Sequence, residues 1–362
     1  RKGEVEVLIA GAKETGGGTG AKPETAVSDF AAAARNGKWG AINISLPLLP
    51  AASRRSPGPS GGLEIVRSLD PAHDLYLNDH RIDGLPVFPF AMAIELMAEV
   101  AAAGWPELEV RSIRQVRLLR GITVDRTGQP VRVTARPAAH EPGDGTRSGR
   151  YLDLTIASAD EPRIVHYRSV VELGPRTTSG DLEEPDWPGG DPWTLDNATP
   201  FPMSVADAYR DWLFHGPLFQ GITAVGAIGP TGARATLRHS SPQLCLNGGP
   251  AGDWLIDPVV IDSALQMQLL WARLHWNVTM LPSALQEYRR FRPLRREPRS
   301  PGGPNEAAGI RHELRIRPVS QPPICHADHY FYGSDGQLLG ALTDMMGAGS
   351  AAFNRLAGAG RR

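Results

Sequence analysis

The chain has 362 residues, and its 40 Gly and 32 Pro place a helix breaker at one position in five, which excludes an all-helical bundle or a coiled coil. A hydrophobic content of 41% with a net charge of −1 excludes a disordered chain and gives no electrostatic reason to expect nucleic acid or a membrane surface as partner. Cys245 and Cys325 are the only cysteines, too few for a disulfide framework or a CxxC zinc module, and no apolar run approaches the roughly 20 residues needed to span a bilayer. With no signal-peptide pattern, the expected location is the cytoplasm.

Residues 1–62 read as the tail of a preceding domain plus a connector. They start in the strand-like Val5–Ile9, carry all four lysines (Lys2, Lys13, Lys22 and Lys38) and hold two low-complexity stretches, at 16–20 and 53–62. The Gly-rich run before Lys22 lacks the Gly-Lys-Ser/Thr of a phosphate loop, because Pro23 follows the lysine. A first folded unit is expected over 63–174: a strand from Leu63, an irregular stretch to Gly84, and a buried helix from Pro89 to Ala103 with Met92, Leu96 and Val100 at helical spacing. Strands are expected over 110–124, 131–138, 151–157 and 163–173, where apolar and polar residues alternate.

A Pro- and acid-rich connector follows over 175–200, and a second unit over 201–350, with 351–362 as a closing linker. Strands near 223–228 and 233–238, an apolar helix over 258–275, and strands near 283–291, 310–319, 325–332 and 337–342 repeat the first pattern. One long apolar helix wrapped by an antiparallel sheet, occurring twice, makes an α+β double hot-dog the expected fold.

Several clusters could carry chemistry. Cys325-His326-Ala327-Asp328-His329 offers metal-ligand types, but an extended strand turns 326 and 329 to opposite faces, so ordinary strand histidines are expected and no metal. Arg289, Arg290, Arg292, Arg295 and Arg296 form the densest basic run, either solvated surface or a docking face for an acidic partner. The stretch 78–89 places His80 in an irregular segment ahead of the buried helix, with Gly84 four residues on and Pro89 at the expected first helical position. It is either a histidine packed at a helix entrance or a general base beside a backbone N–H that binds a carbonyl oxygen.

Asp262 falls inside an otherwise apolar helix, with Gln266 one turn along on the same face. Burial raises the pKa of such a carboxyl towards the value a general acid needs, unless it merely sits at an exposed helix start. Phe214-His215-Gly216-Pro217-Leu218-Phe219-Gln220-Gly221 is a tight turn between aromatics.

Together, over about 63–350, these motifs resemble the dehydratase domains of polyketide synthases. Those carry HxxxGxxxxP in the first half, then Tyr-Gly-Pro-x-Phe-Gln-Gly and Asp-xxx-Gln/His in the second, and a Leu-Pro pair where Leu281-Pro282 stands here. The wording of 78–90 and 213–217 looks most like the iterative type I synthases that build enediyne polyene cores. Two departures stand out: His215 replaces the usual tyrosine, and Asp257 stands where a histidine commonly precedes the proline.

The resemblance implies water elimination from a β-hydroxyacyl thioester on an acyl carrier protein, giving the α,β-alkene. His80 would be the base and Asp262 the acid, the Gly84 N–H would meet the thioester oxygen, and Gln266 would orient Asp262. It implies no cofactor beyond the carrier's phosphopantetheine and no metal. The expected partners are the carrier protein, other domains of the same synthase (a ketoreductase preceding) and a possible second copy in a homodimer. A product-template-like cyclase, a thioesterase of the same fold, or a catalytically silent docking domain are the alternatives.

Overall fold

The computed structural model describes residues 45–49, 54–57, 61–125, 127–139, 150–176, 193–292, 294 and 309–357. The strand-like opening, the Gly-rich run near 16 and Arg295 and Arg296 lie outside the described residues.

In the first half, β1 (Arg54–Pro57) and β2 (Leu63–Leu69) precede a hairpin of β3 (Arg81–Ile82) and β4 (Leu85–Pro86). Helix α1 (Phe90–Gly104) follows, then β5 (Leu108–Leu118), β6 (Gln129–Pro137), β7 (Arg150–Ser158) and β8 (Val165–Pro175). The second half opens with the short α2 (Val205–Asp211), β9 (Ile222–Gly229), β10 (Gly232–Leu237) and the single turn α3 (Pro242–Cys245). It continues with α4 (Pro258–Trp276), β11 (Thr279–Arg290), β12 (Ile310–Ile316), β13 (Ile324–Tyr332) and β14 (Leu338–Ser350).

Both long helices form where their sequences ask for them. Alanine, leucine and methionine fill α1, and every residue from Phe90 to Ala102 is buried, so the helix is a core element on all faces. In α4, Pro258 takes the first turn and the Asp257 carboxylate accepts the N–H groups of Val259 and Val260. Asn277, in the left-handed conformation with φ 52°, ends it. The departure at Asp257 is thus a helix cap, held further by the N–H and hydroxyl of Ser240.

Each long helix is wrapped by antiparallel strands, as expected of a double hot-dog, and among the described residues the strands of both halves join into one sheet of twelve, in the order β1-β2-β6-β7-β8-β5-β11-β14-β13-β12-β10-β9. β5 and β11 pair as the seam, Ile113 opposite Tyr288, so each half keeps its own helix while the ladder runs through. α1 packs on β2 and β5–β8, α4 on β9–β13, and the two helices touch.

The fold also takes in more chain than the sequence assigns to it. Arg54–Pro57, expected in the connector, pairs with β2. Leu48 and Leu49 are buried in the core, and the Leu48 N–H donates to the Glu99 carboxylate at 2.9 Å. Trp193 lies under the guanidinium groups of Arg234 and Arg315, and Thr199 bridges Ile228. Past β14, Ala351–Leu356 form a 3-10 turn that buries Leu356.

Candidate active site

His80, His215 and Asp262 come from distant parts of the chain and meet where the two halves join. His80 ends a 3-10 turn (Leu75–Asp79) and lies in an isolated antiparallel bridge with His215, main chain against main chain. The neighbouring Asp79 fastens this contact twice. Its carbonyl accepts the Gly216 N–H at 2.7 Å and its carboxylate accepts the Leu218 N–H at 2.8 Å. Gly216 is required there, since a Cβ would sit 2.4 Å from Asp79 Oδ1.

The β3–β4 hairpin brings the chain back past His80. The Val87 N–H donates to the His80 carbonyl at 3.0 Å, and His80 Nδ1 lies 2.8 Å from the Val87 carbonyl. A carbonyl can only accept, so Nδ1 carries the proton and Nε2 keeps its lone pair. The rings of Phe214, His215 and Phe219 surround the imidazole at 5.4–5.6 Å. Burial among them pushes the His80 pKa down to about 4, because the charged form loses its water. His80 is therefore neutral at pH 7 with one basic nitrogen.

Asp262 projects from the second turn of α4 and is 4% exposed. Desolvation raises its pKa from 3.8 to about 7, against the opposing pull of its hydrogen bond from Gln266. Gln266 Nε2 donates to Asp262 Oδ2 at 2.7 Å and to the Phe219 carbonyl at 2.8 Å. His215 Nε2 lies 3.3 Å from the same Oδ2, so both neighbours address one oxygen. The His215 pKa is held well below the ordinary histidine value, first by burial and then by His80. Its Nδ1 is buried without a partner. One ring nitrogen of each histidine and one Asp262 oxygen lie within 4.8 Å of one another.

The structure thus brings together His80, His215, Asp262 and Gln266, and it moves three other expectations. Gly84 is exposed at the tip of the β3–β4 hairpin, in left-handed conformation with φ 78° next to Asp83 at φ 50°. What it demonstrably does is make the tight turn that returns Val87 to His80. Pro89 is the cap of α1 rather than its first helical residue, with ψ 144°, and its carbonyl accepts the Ala93 N–H. The basic run is not a free docking face where it is described. Arg289 pairs with Glu172 and Glu287, Arg290 with Glu109 across the seam, and Arg292 with Gln337.

Sequence reasoning missed Tyr209. Its hydroxyl donates to Gln266 Oε1 at 2.8 Å and accepts the Ile222 N–H at 2.9 Å, so it fixes which way the Gln266 amide faces. A signal was present, since Ser204 caps the Asp207 N–H three residues on, which marks the start of the helix that carries Tyr209.

A family model described as polyketide synthase dehydratase domain matches residues 47–150. Another, described as polyketide synthase dehydratase N-terminal domain, matches residues 191–345. Between them they span most of the chain, which belongs to the polyketide synthase dehydratase domains. Over 248 residues, 66% of this chain, it is 26% identical to a polyunsaturated fatty acid synthase of Thraustochytrium sp.. Over 217 residues, 58% of the chain, it is 27% identical to the highly reducing polyketide synthase azaB of Aspergillus niger. The chain spans only about 8% of the length of each of these curated relatives.

Solved structures share the double hot-dog fold. The dehydratase domain from the CurF module of curacin polyketide synthase superposes with a TM-score of 0.59 at 16% identity, covering 85% of this chain and all of that one. The dehydratase domain of PpsC from Mycobacterium tuberculosis gives 0.58 at 19% identity, covering 84% and 98%.

Proposed function

We propose that this chain dehydrates a β-hydroxyacyl thioester to the α,β-unsaturated thioester, as the dehydratase domain of a polyketide synthase. The observation that carries this reading is the convergence of a neutral imidazole and a carboxyl that is half protonated near pH 7, from opposite halves, within one small buried space. Eliminating water from a β-hydroxyacyl group needs a base for the α-proton and an acid for the departing hydroxyl.

His80 Nε2 removes the α-proton, and its Nδ1–H on the Val87 carbonyl helps the ring carry the resulting charge. The electron pair closes the α,β double bond as the C–O bond breaks. The Asp262 proton leaves with the hydroxyl as water. Gln266 and His215 both address Oδ2, which assigns the transferred proton to Oδ1. Proton return from His80 to Asp262 restores the starting state, so no cofactor enters the balance. The start of α1 supplies the positive side of a dipole for the thioester oxygen. The phosphopantetheine of an acyl carrier protein would present the substrate, and the wording of 78–90 and 213–217 supports a place in an iterative synthase that builds a polyene or enediyne core.

The test is turnover of a β-hydroxyacyl thioester, with product analysis, by wild type, His80→Ala and Asp262→Asn. Alkene from the wild type and a loss of about 10²-fold or more in each variant is expected. Free acid or a cyclised product would replace the reading by a thioesterase or a cyclase. No turnover by the wild type would make the chain a silent domain, and full activity in both variants would remove the residue assignment.

A further inference from the structure

We infer that the His80–His215–Asp262 cluster is a binding site for a zinc-class divalent transition-metal ion, and that the ion shuts off the site rather than serving it. The metal binding rests on the donor atoms alone, whereas the shut-off rests on the dehydratase reading, which makes His80 the base and Asp262 the acid. Two imidazoles and a carboxylate are the ligand types that hold zinc with one position left open. Here all three side chains are buried and their donor atoms lie within 4.8 Å of one another.

Two features go beyond mere proximity. In a tetrahedral site with metal–ligand distances of about 2.0–2.1 Å, neighbouring donor atoms stand about 3.3 Å apart. His215 Nε2 and Asp262 Oδ2 already stand at 3.3 Å. The supports outside the donors are also of the kind metal ligands have, with a ring N–H fixed on a carbonyl and a carboxylate held by an amide. His80 Nδ1 is fixed on the Val87 carbonyl, which leaves Nε2 to bind, and Gln266 holds Asp262, itself held by Tyr209.

The third leg needs a shift on the order of 1 Å in a side chain to close 4.8 Å to that spacing. A bound His215 would carry its proton on Nδ1, which has no acceptor. Both points set the expected affinity in the micromolar range, weaker than a dedicated zinc site. Binding ties up the base, the acid and the residue beside the acid at once, so substrate turnover and metal occupancy exclude each other. His215 is the hinge of the proposal, since a tyrosine there leaves only one histidine and one aspartate.

The experiment titrates Co2+ and Zn2+, each alone, into the purified full chain and into His215→Tyr and His215→Phe. Co2+ gives the geometry through its visible absorption and Zn2+ the stoichiometry by calorimetry. One ion per chain, intense bands of a four-coordinate cobalt centre, and a loss of at least tenfold in affinity in both variants are expected. Unfolding midpoints report whether the variants are folded. A misfolded His215→Phe leaves His215→Tyr to decide, and if both misfold, protection of the His80 and His215 imidazoles from diethyl pyrocarbonate by Zn2+ in the wild type decides. No saturable binding, equal binding by wild type and folded variants, or no imidazole protection overturns the proposal.

Discussion

Replacing Asp262 by Asn should raise stability above neutral pH while removing activity. The carboxyl is nearly inaccessible, and burial lifts its pKa from 3.8 to about 7. A shift of about 3 units corresponds to about 4 kcal/mol between the charged and neutral forms. The folded-state pKa lies above the unfolded value, so the favourable contribution is complete below pH 3.8 and is lost as pH rises through about 7. An amide of the same shape never ionises. Wild type and Asp262→Asn should therefore be equally stable near pH 4, and the variant should gain up to about 4 kcal/mol by pH 8 to 9, on the order of 10 °C in Tm. His80 is present in both proteins and gains its proton only towards pH 4 in each, so it cancels from the difference. Urea unfolding from pH 4.5 to 9, with turnover measured on the same samples, is the assay. A stability difference that stays flat with pH, or one that favours the wild type increasingly as pH rises, refutes the reasoning that Asp262 is a desolvated acid.

Wild-type turnover should itself follow a bell in pH, falling below about 4 as His80 gains a proton and above about 7 as Asp262 loses one; a rate still rising at pH 9 would contradict the assignment. Tyr209→Phe leaves Gln266 Oε1 and the Ile222 N–H unpaired in a buried place, at about 1–3 kcal/mol for each group, and should lower kcat more than it changes KM. Gly84→Ala meets open space but must hold φ 78°, so it should cost about 1–2 kcal/mol, whereas Gly84→Asn should cost less; equal melting temperatures for the two would show that the turn does not need a left-handed residue. Arg289→Glu breaks two ion pairs, one of them across the seam to Glu172, and sets a carboxylate beside Glu172 and Glu287, so Tm should fall; an unchanged Tm with weakened reaction of carrier-bound substrate would return this arginine to a docking role.

The elements that the sequence reveals are those with a strong local period. Both long helices fall within a residue or two of their expected ends, because apolar spacing and the flanking prolines mark them. Asp262 and Gln266 were legible for the same reason, as polar residues one turn apart on an apolar helix. What the local pattern could not carry is pairing between distant segments. The β5–β11 ladder joins residues more than 160 positions apart, and no residue on either strand announces its partner. The arginines at 289 and 290 show the consequence, since a basic run looks solvated until the acids of strands far back in the sequence come to face it. Glu95 and Glu99 are the converse case. They interrupt an otherwise apolar helix, yet both are buried, and their carboxylates accept the N–H groups of Leu255 and Ile256 and of Leu48.

The same long-range bonds decide how the site can move. His80 and Asp262, the base and acid of the proposed reaction, belong to opposite halves, so any opening of one half against the other would separate them. Two connections resist that. The sheet is continuous through the seam, and at the site the main chain of His80 is bridged to His215 while Asp79 holds Gly216 and Leu218. Parting the halves would break a strand ladder and leave buried N–H groups unpaired, whereas the chemistry needs base and acid fixed to a fraction of an ångström. The tip of the β3–β4 hairpin is less constrained than its base, where Ile82 packs on the core and the Pro86 carbonyl accepts the Val124 N–H at 2.9 Å. That tip is exposed, with Leu85 56% accessible, and it is tied by the surface pair of Asp83 with Arg355 and by the Arg81 guanidinium, which donates to the Gly84 and Asn78 carbonyls. An exposed pair of that kind contributes about 0–1 kcal/mol. The lightly held part of the hairpin is therefore its tip alone, while its base, through the Pro86 carbonyl on the Val124 N–H and the Val87 carbonyl on His80 Nδ1, keeps the His80 ring in place.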